Sequence, residues 1–175
     1  MVDKARLKEL IREVPDFPKP GISYKDITPL LKDHWGLKEA LAAVLGPYEG
    51  QAIDLVAGIE SRGFILAVPL AVRLGCGFVP VRKPGKLPAA ILRQEYALEY
   101  GTDAVEIHRD AVQEGQRVLV VDDVLATGGT LQATCRLLER LGAQIAGLSV
   151  LVELAFLGGR QKLKGYPLNA VIEFR

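Results

Sequence analysis

The chain has 175 residues, of which 49% are hydrophobic and 25% charged, and 22 Lys and Arg against 21 Asp and Glu leave a formal charge of +1. That length and balance suit one globular domain with a proper core and exclude a disordered chain. With no overall basic excess to grip nucleic acid irrespective of sequence, any site for a polyanion has to be local.

From the N-terminus, Asp3 to Val14 place Leu7, Leu10, Ile11 and Val14 at helical spacing, which predicts an amphipathic helix. The opening MVDKARLKELIREV is charged throughout and does not resemble a signal peptide. No apolar run approaches the ~18 residues of a membrane-spanning helix, so the expectation is a cytoplasmic protein without a membrane partner. PDFPKPG then breaks the helix, KDHWG reads as a polar turn, and LKEALAAVLGPY (Leu37 to Tyr48) predicts a second helix.

A regular alternation follows. Ile53 to Ile59 reads as a buried strand, Arg62 to Leu74 as a helix ended by Gly75, and Gly77 to Lys83 as another strand. Between Pro84 and Asp110 the pattern changes, and ALEYG and AVEIH read as a β-ribbon turning at Gly101-Thr102-Asp103. RVLVVDD is a strand, Gly129 to Leu141 a helix ended by Gly142, and AQIAGLSVLVEL a further strand. Continuous apolar strands separated by helices are the pattern of an α/β fold, a mostly parallel sheet flanked by helices.

Cys76 and Cys135 each sit in an apolar helical pattern and are too far apart in sequence for a CxxC pair, so they read as reduced core cysteines. His34, His108 and Trp35 read as structural, since no His, Cys or Asp cluster has metal-ligand spacing.

The chemistry gathers at predicted strand ends, where open parallel sheets bind ligands. Asp122 and Asp123, Glu60-Ser61-Arg62, and Arg82-Lys83 all lie there. After the aspartates, Ala126, Thr127, Gly128, Gly129 and Thr130 offer successive amide N–H groups and a helix N-terminus, a nest for a phosphate. No GxxxxGK[ST] or GxGxxG pattern accompanies them. Ionised carboxylates accept hydrogen bonds only, so the aspartate pair suits a sugar diol, and together the two features suit a ribose 5-phosphate. Without a ligand the same residues would read as solvated edge charge, or as a Mg²⁺ site through water, and a helix capped by Thr130.

VLVVDDVLATGGT resembles the phosphoribosyl-pyrophosphate signature of type I phosphoribosyltransferases. Five further segments are similar, in order, to the adenine phosphoribosyltransferase family: FPKPGISYKDITPLL, AGIESRGF, VRKPGKLP, EYALEYGTDAVEIH and VLVEL, spanning Phe17 to Leu154. The resemblance implies transfer of the 5-phosphoribosyl group from phosphoribosyl pyrophosphate to adenine, giving AMP and pyrophosphate, with Mg²⁺ as cofactor. It implies a type I phosphoribosyltransferase fold and a homodimer. Residues 1–175 would form one domain, with about 1–35 contributing a hood over the base and about 84–110 a β-ribbon flap.

Carried over residue by residue, the resemblance puts the 5-phosphate on Ala126 to Thr130 and the ribose hydroxyls near Asp122 and Asp123. Glu60, Ser61 and Arg62 would form the pyrophosphate loop, with Arg62 its charged donor and a cis Glu60–Ser61 peptide. Arg82, Lys83 and Lys86 would add positive charge for the leaving diphosphate, one of them reaching across a dimer. The metal would ride on the diphosphate, near Asp122 and Asp123 through water, with no direct protein ligand. Glu99 corresponds to the family's acid/base for the purine proton, and Tyr100 would help seal the site. In the hood, Ser23 and Lys25 stand where family members often carry an apolar residue and an arginine, and main-chain groups there would read the adenine edge. Leu154 would pack on the purine face.

Independently of the resemblance, negative charge grows on a departing pyrophosphate, and the Arg and Lys residues just named meet that need. Two rival readings are an enzyme for hypoxanthine or xanthine and a ligand-sensing regulator that binds RNA or DNA. A 6-oxo purine calls for a donor at the exocyclic position, and none is placed for it in the hood. The chain has no spare length for a nucleic-acid-binding domain.

Overall fold

In a computed structural model, which describes residues 2–97 and 101–175, helices flank a sheet of five parallel strands. The elements run α1 (Lys4–Glu9), β1 (Arg12–Val14), β2 (Tyr24–Asp26), α2 (Thr28–Lys32), α3 (His34–Leu45), β3 (Leu55–Ile59), α4 (Arg62–Leu74) and β4 (Gly77–Val81). There follow β5 (Ile91–Ala97), β6 (Thr102–His108), β7 (Arg117–Leu125), α5 (Gly129–Arg140), β8 (Gln144–Leu154) and β9 (Leu168–Phe174), with short 3₁₀ turns before β3 and between β8 and β9.

The main sheet has the order β4-β3-β7-β8-β9. Every neighbouring pair in it is parallel. Its connections therefore move one way from β3 and the other way from β7. The carboxyl ends of these two central strands border the crevice where such sheets hold ligands. Both faces are apolar, as a parallel sheet requires. On β7, Leu119 and Val121 join the core with α1 to α4, while Val118 and Val120 join the core under α5.

The helix expected over Asp3 to Val14 stops at Glu9. Arg12 to Val14 instead pair antiparallel with Tyr24 to Asp26. The ribbon lets Arg12 meet Asp26 at 2.5 Å and Lys25 meet Glu13 at 2.7 Å, cross-strand contacts that a continued helix could not make. KDHWG is not a turn throughout: the Asp33 carboxylate accepts from the Gly36 amide at 2.7 Å and starts α3 at His34. Cys76 lies just beyond α4, outside any helix, and Cys135 is buried in α5, both as free thiols.

The aspartates expected to end their strand lie within it, because β7 continues to Leu125 alongside β8. The second ribbon is built from Ile91–Ala97 and Thr102–His108, with Ala97 opposite Thr102. Thr102 and Asp103 thus belong to a strand rather than to the turn. β9 was not foreshadowed by the sequence pattern, and it closes the sheet beside β8. Among the described residues no helix is long and apolar enough to cross a membrane.

Candidate active site at the crest of the central strands

β3 ends at Ile59, and the Glu60–Ser61 peptide that follows is cis, as the resemblance implied. Glu60 is gripped from three sides. Lys86 Nζ lies 2.5 Å from one carboxylate oxygen, while the Lys83 amide at 2.9 Å and Arg82 Nε at 3.2 Å reach the other. Burial alone would raise this carboxyl, but Lys86, the Lys83 amide and Arg82 hold it at about 2. The basic loop is therefore neutralised in place rather than displayed as a bare cationic patch. Lys83 has its own partners: its ammonium meets Asp103 and donates to the Tyr96 hydroxyl at 2.8 Å, tying the loop to the β5–β6 ribbon. Burial would lower the Lys83 ammonium, yet Asp103 and Tyr96 keep it above its ordinary value.

On the adjoining strand, Asp123 is 6% exposed and Asp122 half-buried. Burial pushes the Asp122 carboxyl well above the usual carboxylate range, and the neighbouring Asp123 charge adds to it. Burial raises Asp123 as well, against the opposing Arg62 guanidinium. Arg62 Nε stands 2.6 Å from Asp123 Oδ2, yet that oxygen accepts no aligned hydrogen bond among the described residues. The pair is thus held by charge, and the oxygen keeps a lone pair for another donor.

The strand leads into the loop 126–130, which lines a hollow of about 60 Å³ together with Asp122, Val124, Leu125 and Leu131. Gly128 holds the left-handed turn (φ 77°) that starts α5, and no side chain caps that helix. Nor does a side chain cap α4, which starts at Arg62 across the crevice. By contrast Asp3 and Asp33 cap α1 and α3. The helices facing the crevice thus keep their first amides available for an anion, and Thr130 does not act as the cap considered from sequence. The loop is braced from behind: Gly159 packs on its main chain, and next to it Arg160 grips Glu153 through parallel contacts of 2.9 and 2.5 Å.

Around these groups open two clefts of about 310 Å³ each. One is lined by Tyr24, Ile59, Glu60, Ser61, Arg62, Lys83, Asp122, Asp123 and Thr130. The other, between the N-terminal ribbon and β8, is lined by Ile22, Ser23, Tyr24, Lys25, Arg62, Asp123, Val124, Ala126 and Leu154. Tyr24, Arg62 and Asp123 border both. The first holds a ring of acceptors and cations suited to a sugar diphosphate, and the second is mostly apolar and suited to a flat base.

Glu60, Ser61, Arg62, Lys83, Asp122, Asp123 and Thr130 converge on the first cleft. Arg82 and Lys86 lie beside it, turned onto Glu60. Ser23, Lys25, Ala126 and Leu154 line the second. The Lys25 ammonium, however, faces Glu13, Ser23 and the Phe174 ring, so its charge is spent on the ribbon. Glu99 and Tyr100 lie outside the described residues. Sequence reasoning passed over Tyr24, Asp103, Gly159 and the Glu153–Arg160 pair; for Tyr24 the available signal was its place between Ser23 and Lys25 at the strand end.

Among the described residues no group of three His, Cys, Asp or Glu side chains could hold a metal alone. Two adjoining carboxylates do suit Mg²⁺ bound largely by water and substrate oxygens.

Residues 31–166 match the model of the phosphoribosyl transferase domain. The chain is 56% identical over 168 residues to an adenine phosphoribosyltransferase of Thermoanaerobacter sp. (strain X514), covering 96% of this chain and 97% of that one. The fold is similar to the crystal structure of an adenine phosphoribosyltransferase from Thermoanaerobacter pseudethanolicus (TM-score 0.95, 55% identity, 98% of this chain and 99% of that one). It is also similar to the Saccharomyces cerevisiae enzyme, solved with an imino-altritol bisphosphate and adenine (TM-score 0.90, 37% identity, 97% and 98%).

Proposed function

The chain belongs to the adenine phosphoribosyltransferase family of the phosphoribosyl transferase domain, and from that premise we propose how its residues divide the work. The reaction is transfer of the 5-phosphoribosyl group from phosphoribosyl pyrophosphate to adenine, yielding AMP and pyrophosphate in purine salvage. The observation that carries the assignment of parts is the pair of clefts meeting at Tyr24, Arg62 and Asp123, one polar and one mostly apolar. Bond exchange at the anomeric carbon needs the base nitrogen and the leaving diphosphate on opposite faces of that carbon, so the base site and the donor site have to adjoin.

The amides of Ala126 to Gly129 and the Thr127 and Thr130 hydroxyls take the 5-phosphate at the uncapped start of α5. Asp122 and Asp123 accept hydrogen bonds from the ribose hydroxyls. Arg62, Lys83, Arg82 and Lys86 face the diphosphate, the last two by exchanging Glu60 for phosphate oxygens as charge builds on the leaving group. Glu60 and Ser61 form the turn that carries Arg62. Adenine lies in the second cleft against Leu154, its edge read by main-chain groups at Ser23 and Lys25. Glu99 handles the purine proton, with Tyr100 closing over the site. Residues 1–35 then serve as the hood and 84–110 as the flap of a single domain.

Mg²⁺ is the cofactor this reading requires; Asp122 and Asp123 would hold it through water beside the diphosphate, where it supplies further positive charge. We further propose a homodimer working in the cytoplasm. The exposed Ile65, Val68 and Val72 on α4, 45%, 42% and 77% accessible, support the pairing as an apolar face it would cover. Free thiols at Cys76 and Cys135 suit a reducing compartment.

Release of pyrophosphate, followed with adenine, guanine, hypoxanthine and xanthine in parallel, tests the reaction. Turnover with adenine alone is expected. Equal turnover with a 6-oxo purine would overturn the choice of base.

A further inference from the structure

Of the three side chains that border both clefts, Tyr24 alone was not among those the sequence motifs singled out. Tyr24, on β2, reaches across to α4, where Arg62 Nη1 donates to its hydroxyl. The Arg62 guanidinium also lies over the Tyr24 ring, 5.0 Å from its centre. The ring is itself held by Phe17, edge-on at 5.2 Å. Arg62 is therefore fixed at Nε by Asp123, at Nη1 by the Tyr24 hydroxyl and on its flat face by the Tyr24 ring. Among the described residues Nη2 has no hydrogen-bond partner.

An arginine carries a large rotamer entropy, and binding an anion with it costs less when the fork is already oriented. We propose that Tyr24 is a positioning residue for pyrophosphate recognition: its hydroxyl orients the Arg62 guanidinium with Nη2 left open towards the diphosphate. The inference rests on the reading of the first cleft as the phosphoribosyl pyrophosphate site. It assigns the hydroxyl to the donor substrate although the residue belongs to the ribbon that borders the base.

Tyr24→Phe keeps the ring and its contacts with Phe17 and Arg62 while deleting only the oxygen. The expected result is a rise of about five- to tenfold in KM for phosphoribosyl pyrophosphate, the scale of one lost hydrogen bond. KM for adenine should stay within about twofold, and calorimetric affinity for pyrophosphate should weaken by the same factor as the donor KM. In an Arg62→Lys background, whose ammonium cannot make the same fork, Tyr24→Phe should change the donor KM by less than about twofold. A change confined to the adenine KM, an unchanged or lowered donor KM, or an equal effect in both backgrounds would overturn the proposal. Loss of turnover by the unsubstituted protein with every base would instead count against the reaction itself. A matching thermal transition of Tyr24→Phe and the parent protein excludes a general loss of fold as the cause.

Discussion

Gly159 lies so close to Ala126 that a Cβ on it would stand 2.0 Å from the Ala126 carbonyl oxygen and 2.8 Å from the Gly128 amide nitrogen. Both obstacles are backbone atoms of the phosphate nest, so no side-chain rotation relieves them. A segment near the C-terminus thereby sets the shape of a loop some thirty residues earlier, and the Glu153–Arg160 pair fixes that segment to β8. Gly159→Ala should lower kcat/KM for phosphoribosyl pyrophosphate by at least about tenfold and also lower the melting temperature, the usual consequence of overpacking. Steady-state kinetics beside a thermal melt would check it; wild-type values in both would show that the loop is free to move aside.

Asp122→Asn should separate stability from activity. The Asp122 carboxyl is pushed up by burial and by Asp123, so the folded protein binds its proton more tightly than the unfolded chain does. The associated penalty is absent at low pH and grows as pH rises from the ordinary carboxylate range through the raised value. The Asn variant is expected to melt higher than the parent at pH 8, with the gain shrinking towards pH 4. Its kcat/KM for the sugar donor should nonetheless fall about tenfold or more, because an amide is a poorer acceptor for the ribose hydroxyls. Melts across pH together with kinetics at pH 8 measure both effects.

Glu60 shows the opposite sign. Its carboxyl is held at about 2, below the unfolded value, so its contribution is present above that value and is lost as pH falls towards 2. Glu60→Gln should cost about 1–2 kcal/mol at pH 7, with the difference from the parent narrowing below pH 4. Denaturant titrations at several pH values provide the test.

Glu99→Ala is expected to reduce kcat by tens of fold, with KM for adenine changed far less, since a proton-transfer group acts mainly in the transition state. A fall of under twofold would remove Glu99 from the acid/base role.

The helix over Arg62–Leu74 and the strands on either side were legible because each is a continuous apolar run with a clear stop. The same local signal misled at Asp3 to Val14: Leu7 and Ile11 are indeed buried, but the pairing of Arg12 and Glu13 with β2 decides the backbone between them. Polar strand-end residues flagged the first cleft, since carboxylates and cations at the mouth of an apolar strand need partners. Tyr24 carried only its place between Ser23 and Lys25, and Gly159 carried no such mark. What they do depends on what lies opposite them, Arg62 and the Ala126 carbonyl, and those distances exist only once the chain is folded.

The missing side-chain caps on α4 and α5 bear on how the molecule breathes. The Arg62 and Gly63 amides and the first amides of α5 have no side-chain partner until a phosphate arrives, so they should exchange hydrogen for deuterium quickly in the free protein and slowly in its presence. Because such a ligand binds the folded chain alone, a donor concentration a hundred times its Kd would add about 2.7 kcal/mol to the stability. The supply of the sugar phosphate would then govern the lifetime of the fold as well as the speed of the reaction.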